Sequence, residues 1–198
     1  MRLEEIASVR TGAVTARKKT KAGDSPSSFY KMLNLRCLAP EGYLDLKNAE
    51  DYPAKETLKP ELFTHKGDVL IRLSFPYTSV LIDDEVAVDY LVPSHFAIIR
   101  TDKRKALPEY ILWFLQREST LQQILLNSSG STAFGTISSG FVGSLNIPIL
   151  PLEKQQALGQ LQLLSTKEQE LLYRLAKEKA IFNKEAFDRI YDKLEGEE

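Results

Sequence analysis

The sequence has little sulfur and few histidines: one cysteine, Cys37, and two histidines, His65 and His95, in 198 residues. A single cysteine excludes an intrachain disulfide. One Cys and two His cannot build a Cys-rich structural zinc site. Long hydrophobic runs are missing too. Tyr110 to Leu115 is among the longest, far short of the roughly 20 residues of a membrane span. The opening MRLEEIASVR carries charge where a secretory signal would be apolar. These features point to a soluble protein in a reducing, cytoplasmic setting, with no membrane partner. An excess of either charge is also lacking: 26 Lys+Arg face 27 Asp+Glu, a net charge of −1. That balance excludes a polybasic protein that coats nucleic acid indiscriminately.

Catalytic signatures are absent as well. No GxGxxG or Walker loop cradles a phosphate, and no GxSxG elbow presents a serine. His65 and His95 have no evident orienting partner, and His95 reads as a hydrogen-bonded structural histidine. Cys37 reads as a small buried hydrophobe. No carboxylate pair has nuclease or methyltransferase spacing, and no NPPY-like tetrapeptide occurs. The expectation is a protein with no catalytic residues, no metal and no cofactor.

What is present falls into two zones. Residues 1–150 hold most of the Gly, Pro, Phe and Tyr, and 152–195 hold one Gly (Gly159) and no Pro. The domains expected are therefore 1–150 and 151–198. In the first zone, Arg10-Thr11-Gly12 reads as a turn and 15–28 as a mobile loop. Strands are expected at Phe29–Leu38, within Phe63–Leu73 after the turn pair Lys66-Gly67, and at Ser79–Ile82, Glu85–Val92 and Ser94–Arg100. A helix is expected from Leu107 to about Asn127, with Pro108 in its first turn. Ser128–Gly140 reads as a Ser/Gly/Thr loop and Phe141–Leu150 as a strand. Strands clustered around few helices make the fold class α+β, and no internal repeat is visible.

The second zone reads as one helix. Leu161, Leu164, Leu171, Leu175, Phe182 and Ala186 step mostly by three or four, with charged residues on the other side. About 40 residues would extend ~60 Å, against ~11 residues for a typical globular helix. One compact domain cannot cover such a stripe, so a second copy of the chain is the expected partner, by coiled-coil-like packing. The competing expectation is a helix folded back on its own domain, broken near Ser165-Thr166. Glu168 and Glu178 fall in the seam, and periodicity leaves parallel and antiparallel pairing open.

Local charge differs from the total. Residues 1–36 carry eight basic and three acidic side chains, while acidic residues gather at Glu50-Asp51 and Asp83–Asp89. One basic face on a near-neutral domain is the expectation. Arg17–Lys21 would neutralise phosphate, although such runs are often only solvated loops. Asn34-Leu35-Arg36 and Arg72-Leu73-Ser74 place base-reading chemistry at strand ends.

In order along the chain, LEEIASVRTG, FYKMLNLRCLAPEGYLD, LFTHKGDVLIRLSFPYTSVLI, LVPSHFAIIR with ALPEYILWFLQRE, and SSGSTAFGTISSGFVGSLNIPILPLEKQQALG form a pattern. It resembles a target-recognition domain and spacer helix of the specificity (S) subunit of type I restriction–modification systems. The resemblance implies a non-catalytic subunit that reads double-stranded DNA and holds a DNA methyltransferase (modification) subunit, with a restriction nuclease subunit as a further partner. Members of that family carry two recognition domains and two spacer helices; this chain has one of each. Two copies pairing through Leu161, Leu164, Leu171, Leu175, Phe182 and Ala186 would restore the pair and read an interrupted palindrome. Carried onto this sequence, Arg17, Lys18, Lys19 and Lys21 would contact phosphate. Asn34, Arg36, Arg72, Ser74 and Tyr77 would lie near bases or backbone, and Ser129, Ser131, Thr132, Thr136 and Ser138 would hydrogen-bond either. The alternative is a non-catalytic protein-interaction module with weak or no DNA binding.

Overall fold

In the computed structural model, residues 1–21, 23–83, 87–128 and 135–195 are described. Four strands form an antiparallel sheet in the order β1-β6-β4-β5: β1 is Ala7–Thr11, β4 Asp68–Arg72, β5 Ser79–Leu81 and β6 Phe96–Thr101. The two central strands are apolar on both faces because both are covered. Val69, Ile71, Ala97 and Ile99 face the helices. Leu70, Val80, Phe96 and Ile98 face Leu33, Cys37 and Leu38 on the other side. Cys37 is fully buried as expected, and burial pushes its thiol pKa up. Where β4 begins, the Asp68 carboxylate accepts from the Arg100 guanidinium at 2.8 and 3.0 Å and from the His65 amide at 2.8 Å. This nearly buried pair pins β4 to β6 opposite each other in register.

A second, two-stranded sheet pairs β2 (Ser28–Met32) with β3 (Glu50–Ala54). Tyr30, Met32, Tyr52 and Ala54 close a small core with Ala13, Phe63 and Leu91. The strand expected at Phe29–Leu38 therefore stops at Met32. Asn34 then caps a 3-10 turn, Leu35–Cys37. The turn expected at Arg10-Thr11 is the end of β1. Gly12 follows, where a Cβ would lie 2.4 Å from the Val92 and Pro93 carbonyl oxygens. Of the strand expected at Glu85–Val92, residues 84–86 lie outside the described residues; Ala87–Tyr90 form no strand, and Leu91 makes isolated bridges to Met32 and Phe63.

Three short helices and one long one follow: α1 (Pro108–Gln116), α2 (Glu118–Leu126), α3 (Ser139–Ser144) and α4 (Leu152–Glu195). The single helix expected over 107–127 breaks at Arg117, whose extended backbone (ψ 137°) separates α1 from α2. The guanidinium of Arg117 lies over the Trp113 ring. The strand expected at Phe141–Leu150 begins instead inside α3, because Ser138 Oγ accepts the Phe141 amide and starts a helical turn.

The long helix has 44 residues and is unbroken at Ser165-Thr166. At 1.5 Å per residue it spans about 66 Å. Its first turns are docked on α1. Gln155 is fully buried: its Oε1 accepts the Leu107 amide, and its Nε2 donates to the Lys105 and Leu150 carbonyls. Gly159 lets the helices touch, since a Cβ there would lie 2.6 Å from Glu109 Cβ. Gln162 donates to Gln116, and Glu170 binds both Lys167 and Arg174. At ~100° per residue, Leu161, Leu164, Leu171, Leu175 and Phe182 project roughly opposite that docked face. All five are exposed, and Ala186 is half-buried. The start of the helix thus packs on its own domain without folding back, and its outward face and far end are exposed among the described residues.

Candidate nucleic-acid interface

One end of the four-stranded sheet gathers polar groups from three distant segments. Arg72 ends β4, Phe96 begins β6 and Thr11 ends β1, so all three emerge together. The connection after β4 is stitched to the segment before α3. Ile137 N–H donates to the Leu73 carbonyl, Leu73 N–H to the His95 carbonyl, and Ser74 forms a bridge with Thr136. The Thr11 hydroxyl donates to Ser139 Oγ at 2.8 Å. Tyr77 holds this arrangement from beneath. Its backbone sits in the left-handed region (φ 57°), a strained conformation for a bulky residue. Its hydroxyl donates to the Gly135 carbonyl at 2.7 Å.

Arg72 is the central side chain of this end. It is half-buried, and burial lowers its guanidinium pKa from the usual value. An arginine stays charged nonetheless. Among the described residues its hydrogen bond goes to Ser74 Oγ at 3.1 Å, and it makes no ion pair with a carboxylate. A partly desolvated cation without an anion is a costly arrangement that an acceptor-bearing ligand would relieve.

The basic segment continues from the same end. Gly12 N–H donates to the Phe96 carbonyl, Ala13 pairs with Val92 and Ser94, and Thr15–Arg17 forms a 3-10 turn. The stretch expected as a mobile loop is tied to the small sheet in its described residues. Thr20 N–H donates to the Pro53 carbonyl, Lys55 N–H to the Lys18 carbonyl, and Tyr52 hydroxyl to the Thr15 carbonyl. Arg17, Lys19 and Lys21 are exposed, whereas Lys18 pairs with Glu56 and draws that carboxyl below its ordinary pKa. The acidic cluster at Glu50-Asp51 is not kept apart from the basic residues. Antiparallel pairing sets Asp51 opposite Lys31, and the two form an ion pair.

Several expected contact residues have other work. Tyr77 is a correction: with its side chain 1% exposed and its hydroxyl committed to Gly135, it supports the loop rather than facing a ligand. Asn34 spends its amide on the Asn48 carbonyl and Glu50, and its oxygen on the Arg36 amide. Arg36 is exposed on that turn. Ser74, Thr136 and Ser138 are at the sheet end, with Ser138 also capping α3. Ser129, Ser131 and Thr132 lie outside the described residues. Sequence reasoning missed Thr11, which reads as a turn residue. His95, expected as a hydrogen-bonded structural histidine, has an exposed side chain, and its backbone carbonyl accepts the Leu73 amide.

At the opposite end of the sheet, a groove of about 610 Å³ separates α4 from the loop around Tyr43. Among the described residues no cluster of three metal-ligating side chains is found. No described helix is long and apolar enough to cross a membrane.

No protein-family model matches the sequence, and no curated protein matches it. Solved structures do. The crystal structure of the HsdS subunit from Thermoanaerobacter tengcongensis superimposes over 89% of this chain with a TM-score of 0.61 and 16% identity. The fold is the HsdS fold. A structure concerned with complex assembly and conformational transition of the type I R-M system matches over the same share, with a TM-score of 0.65 and 16% identity. In both, the match covers 44% of the other chain, so this chain spans less than half the length of the HsdS-like chains it resembles. The mixed sheet-and-helix domain followed by a long helix agrees with the architecture expected from sequence.

Proposed function

We propose that the chain is the DNA sequence-recognition (specificity) subunit of a type I restriction–modification system, reading duplex DNA without catalysing a reaction. The observation that carries this is Arg72. It is a half-buried guanidinium with no carboxylate partner among the described residues, set among Ser74, Thr136 and Ser138 on an HsdS-like fold. Arginine binds the O6 and N7 acceptors of guanine in a bidentate manner, and the hydroxyls suit bases or phosphates. Arg17, Lys19 and Lys21 supply the phosphate contacts that set register and salt dependence.

The chain acts as a homodimer through the outward face of α4. That face carries Glu168 and Glu178 nearer the domain and Lys179, Arg189 and Lys193 towards the tip. Parallel pairing in register would stack like charges. Antiparallel pairing centred between Glu178 and Lys179 sets Glu178 against Lys179, Glu168 against Arg189, Leu175 against Phe182 and Leu171 against Ala186 of the second copy. Charge complementarity selects the antiparallel arrangement. Two domains would then read a bipartite, palindromic target, and the methyltransferase subunit, with a nuclease subunit where the system has one, would dock on the assembly. The cytoplasm, where such systems meet DNA, is the compartment this reading requires.

The test is affinity for mixed-sequence and selected duplexes across a salt series, with the cognate modification subunit present. Preference for a defined sequence, weakening steeply with salt, supports the reading. The exposed α4 face equally suits a protein-interaction module that binds no DNA, and binding indifferent to sequence would favour that alternative.

A further inference from the structure

Phe29 stands out on the small sheet. Odd-numbered residues of β2 face away from the core that Tyr30 and Met32 help to close, so Phe29 and Lys31 share the solvent face. Phe29 is 72% exposed, more than any other described aromatic residue of the domain that precedes α4. Its partner across the sheet is Pro53, whose carbonyl accepts the Thr20 amide that anchors the basic segment. An apolar ring is thus held on a paired strand, with β3 between it and the segment that carries Arg17, Lys19 and Lys21. Singly exposed hydrophobes are common on surfaces. An exposed aromatic ring one strand away from a run of exposed cations is a different arrangement, in which the cations hold phosphates while the ring meets the bases.

We infer that Phe29 is an apolar wedge that inserts at a base step of the duplex when the Arg17–Lys21 segment grips the flanking phosphates. This rests on the proposed function and adds a contact that the sheet end alone does not supply. At 72% exposure the ring stands out from the sheet instead of lining a pocket, which favours insertion between stacked pairs over capture of a single base. Insertion unstacks the step and bends the DNA, so part of the selectivity would come from steps that unstack readily, such as pyrimidine–purine steps.

The test compares the unaltered chain with Phe29→Ala, Phe29→Leu and Lys19→Ala, using one mixed-sequence duplex and the duplex recovered by selection. The selected duplex carries 2-aminopurine at successive steps. Phe29→Ala should weaken binding about tenfold while leaving the slope of affinity against salt unchanged. It should also abolish a fluorescence rise confined to one step. Phe29→Leu keeps an apolar wedge and should retain most of both signals, and Lys19→Ala should flatten the salt slope. Because the ring is exposed, Phe29→Ala should unfold at the same temperature as the unaltered chain. If the unaltered chain binds duplexes and Phe29→Ala binds them equally with the same fluorescence, the wedge is overturned and the proposed function stands. If the unaltered chain binds neither duplex, both fall together.

Discussion

Arg72 and Lys19 illustrate two kinds of cation in one protein. Arg72 is half-buried at the end of β4 and fixed by Ser74, so its guanidinium points in one direction. Lys19 is exposed on a segment that follows the surface. Arg72→Ala should cost about 1–3 kcal/mol against the preferred sequence and little against others, whereas Lys19→Ala should weaken all duplexes alike. Parallel binding curves for the two variants on every duplex would contradict that division. Structural residues are equally separable. Gly159→Ala places a methyl against Glu109 and should destabilise the chain by about 1–3 kcal/mol in urea unfolding. Arg100→Met strands the Asp68 carboxylate, 3% exposed, and should cost roughly 3–5 kcal/mol. Replacing both partners by apolar residues of similar volume should cost much less, which a double-mutant cycle would read directly.

At the scale of elements, α4 carries two apolar faces with different owners. One belongs to the domain through Gln155, Leu158, Gly159 and Leu163. The other, through Leu161, Leu164, Leu171 and Leu175, is left exposed by the described residues. Leu171→Glu with Leu175→Glu should turn a dimer into a monomer in sedimentation while leaving the domain's thermal unfolding unchanged. A monomeric unaltered chain would remove the dimer from the account. This helix was legible in sequence because a run without proline and a leucine period are signals internal to the element. The central strands β4 and β6 were legible for the same reason: Val69-Leu70-Ile71 and Phe96–Ile99 are apolar on both faces. Other elements depend on contacts remote in sequence. β3, Glu-Asp-Tyr-Pro-Ala, has two acids and a proline, and is a strand only because β2 pairs with it and lets Pro53 sit without an amide to donate. The α3 helix is hidden by Gly140 and Gly143, and at Gly143 the Glu4 and Val9 side chains pack close to the backbone. The break at Arg117 has no proline or glycine to announce it. Within the candidate interface, Arg72 and Ser74 were visible as polar residues ending a strand. That Tyr77 would turn inward, or Thr11 meet Ser139, depends on chain segments separated by up to 128 residues.

At the scale of the whole molecule, a net charge of −1 is an average over parts with different tasks. Ion pairs absorb Lys18 and Lys31 on the small sheet, leaving Arg17, Lys19 and Lys21 exposed beside the polar end of the large sheet. Beyond its docked first turns the long helix carries an exposed apolar stripe, which from Leu161 to Phe182 runs about 32 Å. The match covers 44% of each structural neighbour, and one such domain and one such helix per chain underlie the proposal that two copies together make a two-domain reader. The measurement that tests this most directly is selection of bound duplexes from a random pool by the unaltered chain with its modification subunit. The account predicts two copies of one short sequence in inverted orientation, separated by a spacer of fixed length. Recovery of duplexes with no shared sequence would contradict it.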